Sequence, residues 1–85
     1  MKDDAPLGTF EEQVMVAILR TDPDSFGMSV RREIENVTGR EVTIGAVYAT
    51  LDRLEAKRLV RSYRAPADDG RERRMFAVTR SGAVA

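Results

Sequence analysis

The stretch GAVYATLDRLEAKRLV, residues 45–60, predicts a helix whose two faces differ in chemistry. Val47, Leu51 and Leu54 recur at helical spacing as an apolar face, and the hydroxyl of Thr43 can cap the helix at its start. The other face combines small side chains with cations further along, namely Ala46, Ala49, Thr50, Arg53 and Lys57. We therefore expect a helix over residues 43–57 that packs by one side and presents a slim polar side to a partner.

Length and charge limit what the chain can be. Its 85 residues, 42% hydrophobic and 33% charged, describe one globular domain that is too small for a second core. The net charge is zero, yet residues 1–56 hold 6 basic and 11 acidic residues whereas residues 57–85 hold 8 basic and 3 acidic. A basic end favours a polyanionic partner, although an ordinary solvated face would have the same composition.

Missing residue types exclude most catalytic chemistry. Cysteine and histidine are both absent, which removes thiolate and imidazole metal sites and the usual nucleophile and base pairs. Asp68-Asp69 fits a turn, and Glu11-Glu12 fits the first turn of a helix, better than either fits a catalytic pair. We expect no enzymatic activity, no metal and no cofactor.

The sequence also lacks signals for a membrane or for export. No apolar run approaches the roughly 20 residues of a membrane span. The N-terminal residues lack the apolar stretch of a signal peptide. We therefore expect a cytoplasmic protein without a membrane partner.

TFEEQVMVAILR, residues 9–20, predicts a first helix over residues 10–20. Thr9 is the expected N-cap, and Glu12 stands three residues later at the capping-box spacing. The helix is apolar on nearly every side, which a surface helix would not tolerate alone. It is either central in its own domain or also a dimer contact. The residues expected at such a contact are Phe10, Met15, Val16 and Leu19.

A second helix is predicted over residues 26–38, after a turn that contains Pro23. Ser25 is its candidate N-cap, and Gly39 stands where a left-handed residue after a helix end belongs. A brief extended piece is expected at residues 41–42. The core stripe of this helix consists of Val30, Ile34 and Val37.

Two strands should follow the third helix, since LVRSYR (residues 59–64) and RRMFAVT (residues 73–79) have β-type composition. Phe76 and Val78 are expected to face inward, with Met75 and Ala77 outward. The element order predicts a mainly α protein with a small β-hairpin (α+β), a winged helix-turn-helix with a three-helix core and a two- to three-stranded antiparallel wing. Its predicted divisions are an N-terminal tail (1–8), the domain (9–79) and the start of a C-terminal helix or tail (80–85).

A slim helix face beside a cationic hairpin is typical of a nucleic-acid surface. Small side chains let the backbone approach base edges, and Arg53 can donate two hydrogen bonds to guanine or bind a phosphate. Tyr48 borders the apolar stripe, where it can either pack inward or offer its hydroxyl to a phosphate. The hairpin cations suit the DNA backbone or minor groove, or simply protect a strand edge from aggregation. They are Arg61, Arg64, Arg71, Arg73 and Arg74.

Four stretches together resemble the PadR-type transcriptional regulators: LGTFEEQVMVAIL, FGMSVRREI, TIGAVYATLDRLEAKRLV and GRERRMFAVTRSG. The resemblance implies a winged helix-turn-helix that dimerises and represses transcription from near-palindromic operators, often until a small effector molecule or a stress signal relieves it. By this resemblance the recognition-helix positions are Thr43, Gly45, Ala46, Tyr48, Ala49 and Arg53. The implied wing positions are Arg71, Arg73 and Arg74.

The chain departs from the family pattern in two places. Arg58 stands where the family usually has glycine, so either a non-glycine residue adopts the left-handed conformation or the third helix ends differently. The family also continues past VTRSG into helices that build much of the dimer, whereas this sequence stops at Ala85. If the sequence is complete, dimerisation falls to the first helix and its neighbours and the usual effector cavity is absent. If it is part of a longer chain, the dimer helices and the cavity are simply missing from it.

We therefore expect a homodimeric repressor that binds double-stranded DNA with its third helix in the major groove and its arginine wing on the backbone or in the minor groove. The alternative is a winged-helix protein-interaction module. In that case the apolar first helix would dock a partner protein and the arginines would serve solubility.

Overall fold

The computed structural model of the chain describes residues 8–83. Over those residues it contains α1 (Thr9–Thr21), α2 (Gly27–Thr38), α3 (Ile44–Ala56), β1 (Val60–Pro66), β2 (Glu72–Val78) and α4 (Arg80–Ala83). The two strands pair antiparallel in one sheet. The predicted architecture of three helices followed by a hairpin is confirmed. Residues 1–7 of the predicted tail and residues 84–85 at the C-terminus lie outside the described residues.

The core lies where the apolar stripes of the three long helices meet the hairpin. From α3, Val47, Leu51 and Leu54 are completely buried, and from β2 Phe76 is 1% exposed. Burying one such side chain stabilises the folded state by about 1.5–3 kcal/mol. The apolar face predicted for α3 is therefore confirmed, and its burial fixes how that helix is rotated against the rest of the domain.

The start of α1 differs from the prediction. The N-cap is Gly8 rather than Thr9, and the backbone N–H of Gly8 donates to Oε1 of Glu11 at 3.2 Å. The helix begins one residue earlier than expected, so the acid three places after the cap is Glu11 and not Glu12. Glu11 is consequently turned inward.

The start of α2 also differs. Its N-cap is Phe26, whose N–H donates to Oγ of Ser29 at 2.9 Å. Ser25, the predicted cap, is fully buried and donates through Oγ to the carbonyl of Ile18 at 2.7 Å. The backbone carbonyl of Ser25 accepts from the N–H of Phe76 at 2.9 Å, so this serine joins α1 to the hairpin instead of capping a helix.

Two other helix signals are confirmed. Gly39 follows α2 with φ of 71°, the left-handed conformation that glycine adopts without a Cβ clash. At the start of α3, Oγ1 of Thr43 accepts a hydrogen bond from the N–H of Ala46 at 3.0 Å. This cap satisfies one N–H donor that a helix start leaves unpaired.

The strand expected at residues 41–42 does not form. The N–H of Val42 donates to Oε2 of Glu35 at 2.9 Å, and its carbonyl accepts from Nε of Arg31 at 2.8 Å. Side chains of α2 therefore take the backbone groups that a strand partner would need. An isolated bridge between Phe26 and Met75 instead extends the hairpin sheet on its other side.

The hairpin faces are only partly as predicted. β1 and β2 pair from Val60 with Val78 to Pro66 with Glu72, and Phe76 faces the core. Met75 was expected outward but is only 7% exposed. Phe26 bridges to β2 at Met75, on the edge of the strand that does not pair with β1. Met75 therefore has a neighbour on both edges of its strand, and the strict alternation of buried and exposed side chains fails there.

The turn after α3 carries backbone strain. Arg58 has φ of 62° and lies in the left-handed region, while the N–H of Leu59 returns to the carbonyl of Leu54 at 3.0 Å. Oγ1 of Thr79 donates to the carbonyl of Arg58 at 2.7 Å and ties the end of β2 to this turn. Of the two outcomes considered for this position, the strained one is therefore observed.

Replacing Arg58 by glycine should stabilise the protein. Relief of the left-handed strain is worth about 1–2 kcal/mol, and the added freedom of the unfolded chain offsets about 0.4–1 kcal/mol of it. We expect a net gain near 1 kcal/mol in the free energy of unfolding, measured by urea titration. Arg58→Ala is the matched control, because it removes the same side chain but keeps the Cβ. Equal stabilities of the two variants would contradict strain as the cause.

Candidate nucleic-acid interface

The exposed side of α3 is narrow near its N-terminus. Gly45, Ala46 and Ala49 are all exposed there, followed by Asp52 and Arg53 in the next turn. None of the first three side chains extends beyond Cβ, so another molecule can approach the helix backbone closely. The cap at Thr43 leaves further N–H groups of the first turn directed outward, where the helix dipole favours an anion.

Thr50 does not belong to this surface, and its placement there was wrong. It is 1% exposed, because the buried side of α3 includes position 50 together with 47, 51 and 54. Its Oγ1 accepts a hydrogen bond from Nη2 of Arg53 at 3.1 Å. The outward side of the helix is therefore rotated toward Ala49 and Asp52 from the line of residues that the helical projection selected.

Arg53 and Lys57 are both held by a carboxylate from α1. Nζ of Lys57 lies 3.1 Å from Oε2 of Glu11 and 3.3 Å from Oε1, and Nε of Arg53 lies 3.6 Å from Oε2. Burial would raise the pKa of Glu11, but hydrogen bonds from Gly8 and Lys57 and the charges of both cations outweigh it and lower that pKa below its ordinary value. Glu11 was not predicted as a functional residue.

Tyr48 packs inside the domain with most of its ring. It is half-buried, and its ring lies 6.3 Å from that of Phe76 at a tilt of 57°. Its hydroxyl end lies against Gly27, where an added Cβ would collide with the phenol. The packing interpretation of Tyr48 is thus observed, and Gly27 makes room for it.

The hairpin arginines fall into two groups. Arg74 donates to Oε1 of Glu55 at 2.7 Å and to Oδ1 of Asp52 at 3.2 Å, so it joins β2 to α3. Hydrogen bonds from Ser62 and then from Arg74 lower the pKa of Glu55 despite its partial burial.

The other group is oriented toward solvent. The guanidinium of Arg73 lies over the Phe26 ring at 4.0 Å, and that of Arg61 lies over Tyr63 at 5.1 Å. Arg64 and Arg71 are exposed, and neither has an ion pair with another described residue. Arg71 and Arg73 therefore remain available at the wing, whereas Arg74 is mainly structural.

Of the four residues predicted for a dimer contact, two are buried or partly buried and two are exposed. Met15 is 7% exposed and belongs to the core, so its placement at an interface was wrong, and Phe10 packs partly against the core. Val16 and Leu19 are 52% and 59% exposed. Val37, predicted as core, is 65% exposed instead, because it lies at the end of α2 beyond the cover of the other helices.

Val16 and Val37 line a groove between α1 and α2 with a volume of about 270 Å³. We call it the α1–α2 groove. Its walls are Thr9, Glu12, Gln13, Val16, Ala17, Arg20, Glu33, Ile34, Val37 and Thr38. Arg20 and Glu33 form an ion pair across it. No local pattern in the sequence predicts this groove directly, since it depends on how the two helices pack.

Residues 8–83 lack two other kinds of feature, an acidic metal cluster and a membrane-spanning helix. That part of the chain contains no group of three or more acidic residues placed to hold a metal ion. It also contains no helix long and apolar enough to cross a membrane.

Three helices followed by an antiparallel hairpin, with the third helix open on one side, define a winged helix-turn-helix protein. Residues 15–85, most of the chain, match the Transcriptional regulator PadR-like family. The chain belongs to this family, and so to a class of regulators rather than of enzymes.

One curated relative is an uncharacterized 37.1 kDa protein in transposon Tn4556 from Streptomyces fradiae, which is 34% identical over 74 residues. The match covers 87% of this chain and 20% of that protein, so the chain spans about a fifth of the relative. The complex structure of hsRosR-S4 is 27% identical with a TM-score of 0.71, covering 96% of this chain and 66% of that one. A PadR family transcription regulator from Clostridium difficile R20291 shares the fold at 23% identity and a TM-score of 0.71, covering 88% and 77% of the two chains.

The environment of Glu11 predicts a specific pH dependence. Its pKa is lower in the folded than in the unfolded chain, so the folded state binds fewer protons. The carboxylate therefore contributes stability that is fully present above about pH 4.3 and is lost as the pH falls through the lowered pKa. Compared with Glu11→Gln, the wild type should be more stable at neutral pH, and the difference should shrink in acid.

Urea unfolding at a series of pH values measures this difference. Glu12→Gln is the matched control, since it removes a carboxylate from the same turn but not from Arg53 and Lys57. A difference between wild type and Glu11→Gln that stays constant from neutral pH into acid would show that the charge of Glu11 does not stabilise the fold.

Proposed function

We propose that the protein is a homodimeric, sequence-specific DNA-binding repressor that places α3 in the major groove. The observation that carries this proposal is the exposed, slim start of α3 in a domain whose wing also exposes two arginines, Arg71 and Arg73. An α-helix fits the major groove of B-DNA, which is about 12 Å wide. The proposed location follows from this partner and is the cytoplasm or nucleoid.

The proposed DNA contacts are of two kinds: some read base edges, and others position the protein on the phosphate backbone. Gly45, Ala46 and Ala49 let α3 approach base edges, and Arg53 lies one turn further along, within reach of a guanine edge or a phosphate. The hydroxyl of Thr43 caps the helix and the N–H groups beyond it suit a phosphate oxygen. Tyr48 supports the helix from inside, with only its margin near the surface.

The wing contributes cations to the backbone or the minor groove. Arg71 at the end of the hairpin loop and Arg73 on β2 are exposed, and neither is neutralised by a described carboxylate. Arginine near the backbone adds affinity without sequence preference, and arginine in a narrow minor groove meets enhanced negative potential. Arg74 is left out of the proposed contact, because Asp52 and Glu55 already hold it.

The α1–α2 groove is the proposed dimer contact. A twofold axis would bring the groove against its own copy, and the groove supports this with apolar Val16 and Val37 and with both signs of charge at its edges. Its volume of about 270 Å³ lies below the roughly 300–1,000 Å³ of pockets for drug-sized ligands. That favours a second copy over a small effector as its occupant.

The same groove is the one observation that favours the alternative, a protein-interaction module. In that function the groove would bind another protein and α3 would bind nothing. The alternative does not explain why α3 keeps three minimal side chains exposed beside free arginines. The two functions make opposite predictions for a charge placed on α3.

Ala49→Glu should abolish DNA binding without unfolding the protein. The new carboxylate would face the groove floor at the centre of the proposed contact, and we expect a loss of about 100-fold in affinity, comparable to one or two mismatched base pairs. Fluorescence anisotropy on a duplex selected from random sequences measures it. Ser81→Glu adds the same charge to α4 as the matched control. Unchanged binding by Ala49→Glu, or no duplex enriched by the wild type, would favour the interaction module.

Val16→Glu should convert the dimer to a monomer. An unpaired charge buried between two copies of the α1–α2 groove is strongly unfavourable, whereas Val16 is half-exposed in one protomer and tolerates the change. Sedimentation equilibrium measures the mass, with Ala49→Glu as a control that adds the same charge outside the groove. A wild type that is monomeric, or a Val16→Glu variant that remains dimeric, would contradict this interface.

A further inference from the structure

Two cations at the C-terminal end of the exposed side of α3 share one carboxylate. Glu11 lies within 3.1 Å of Lys57 and 3.6 Å of Arg53, although it is 46 residues from Lys57 in sequence. The Glu11 side chain is only 11% exposed, whereas those of Arg53 and Lys57 are 58% and 38% exposed. The carboxylate is a fixed part of the domain rather than a surface group that happens to lie nearby.

Glu11 is itself anchored. Its Oε1 accepts from the backbone N–H of Gly8 at 3.2 Å, which is the bond that begins α1. Moving the carboxylate away would leave the N–H of Gly8 without its acceptor. It would also leave Arg53 and Lys57 without the carboxylate through which they now contact α1. Glu11 therefore sets where the cations rest, and not the reverse.

Arg53 has a second anchor on the same side. Its Nη2 donates to the buried hydroxyl of Thr50 at 3.1 Å while its Nε faces Glu11. These two contacts restrict the guanidinium plane, and its other N–H groups make no hydrogen bond to another described residue. The side chain is still 58% exposed, so a ligand on the α3 surface can reach it in this one orientation.

We infer that Glu11 is a specificity-determining residue that holds Arg53 and Lys57 in place and so limits their contact with phosphates of arbitrary sequence. This inference rests on the proposed DNA-binding function. A free arginine or lysine follows any phosphate backbone and strengthens binding to every duplex alike. An arginine fixed in one orientation contributes only where a base or phosphate meets it at that position.

The salt dependence of nonspecific binding tests the inference. Each phosphate neutralised adds about 0.9 to the steepness of log affinity against log salt. Glu11→Gln should therefore bind a duplex without the selected sequence more tightly than wild type does, with a slope steeper by about 0.9 for each cation released. Between 1 M and 0.1 M salt this amounts to about an eightfold gain for each cation. The ratio of specific to nonspecific affinity should fall.

Matched variants separate release of the cations from a change in net charge. Asp22→Asn removes the same charge from an exposed position after the other end of α1, outside the α1–α2 groove, and should leave the slope near that of wild type. Glu11→Asp keeps the net charge and an acid in the first turn, but is one methylene too short to hold Lys57. It should steepen the slope as Glu11→Gln does, and it serves if Glu11→Gln fails to fold. In an Arg53→Gln, Lys57→Gln background, Glu11→Gln should have no effect on the slope.

The inference is overturned if Glu11→Gln and Glu11→Asp keep the wild-type slope, or if the steepening persists without Arg53 and Lys57. Those results would leave the proposed function intact, since the wild type would still bind its selected duplex with a measurable salt slope. A wild type that binds no duplex at any salt concentration would instead overturn the proposed function, and this inference with it.

Discussion

The packing of one side of α3 against α1 and the hairpin determines everything else about the candidate interface. Val47, Leu51 and Leu54 are completely buried, and Thr50 is nearly so, which allows α3 only one rotation about its axis. That rotation turns Ala49 and the start of the helix outward. A change that loosened this packing would alter which residues of α3 face outward.

Carboxylates of the domain form ion pairs with some of its cations and leave others without a partner among the described residues. Glu11 holds Arg53 and Lys57 near the end of α3, and Asp52 and Glu55 hold Arg74 on the hairpin. These pairs join α1, α3 and β2 to one another, so they contribute to the relative positions of the recognition helix and the wing. Each of these cations already pairs with a carboxylate of the same domain. The formal charge of such an arginine therefore overstates the positive charge that is available to a ligand. Among the described residues, fewer cations lack a carboxylate partner than the composition suggests.

The sequence predicted those features that depend on local chemistry. The apolar stripe of α3, the cap at Thr43 and the left-handed Gly39 each follow from residues a few places apart, and all three are observed. Family resemblance added the question about Arg58, which periodicity alone does not raise. What failed depends on long-range packing: Met15 and Met75 are buried and Val37 is exposed because of neighbours distant in sequence.

The candidate site shows the same division between local and tertiary information. Gly45, Ala46 and Ala49 were correctly expected to be exposed, whereas Thr50 was misplaced because a helical projection fixes angles between residues but not the orientation of the whole helix. Glu11 could not be found from sequence, since its partners lie 42 and 46 residues away and its inward position depends on the helix beginning at Thr9. The predicted cap at Thr9 selected Glu12 as the capping-box acid, so Glu11 was interpreted only as an acid in the first turn of the helix.

The most direct test of the central claim is amide chemical-shift mapping during titration with a selected DNA duplex. If α3 enters the major groove, the largest changes should occur from Thr43 to Arg53, with a second set at Arg71 and Arg73 and only small changes around the α1–α2 groove. Changes concentrated in the α1–α2 groove, with the amides of Gly45, Ala46 and Ala49 unaffected, would contradict the proposed role of α3.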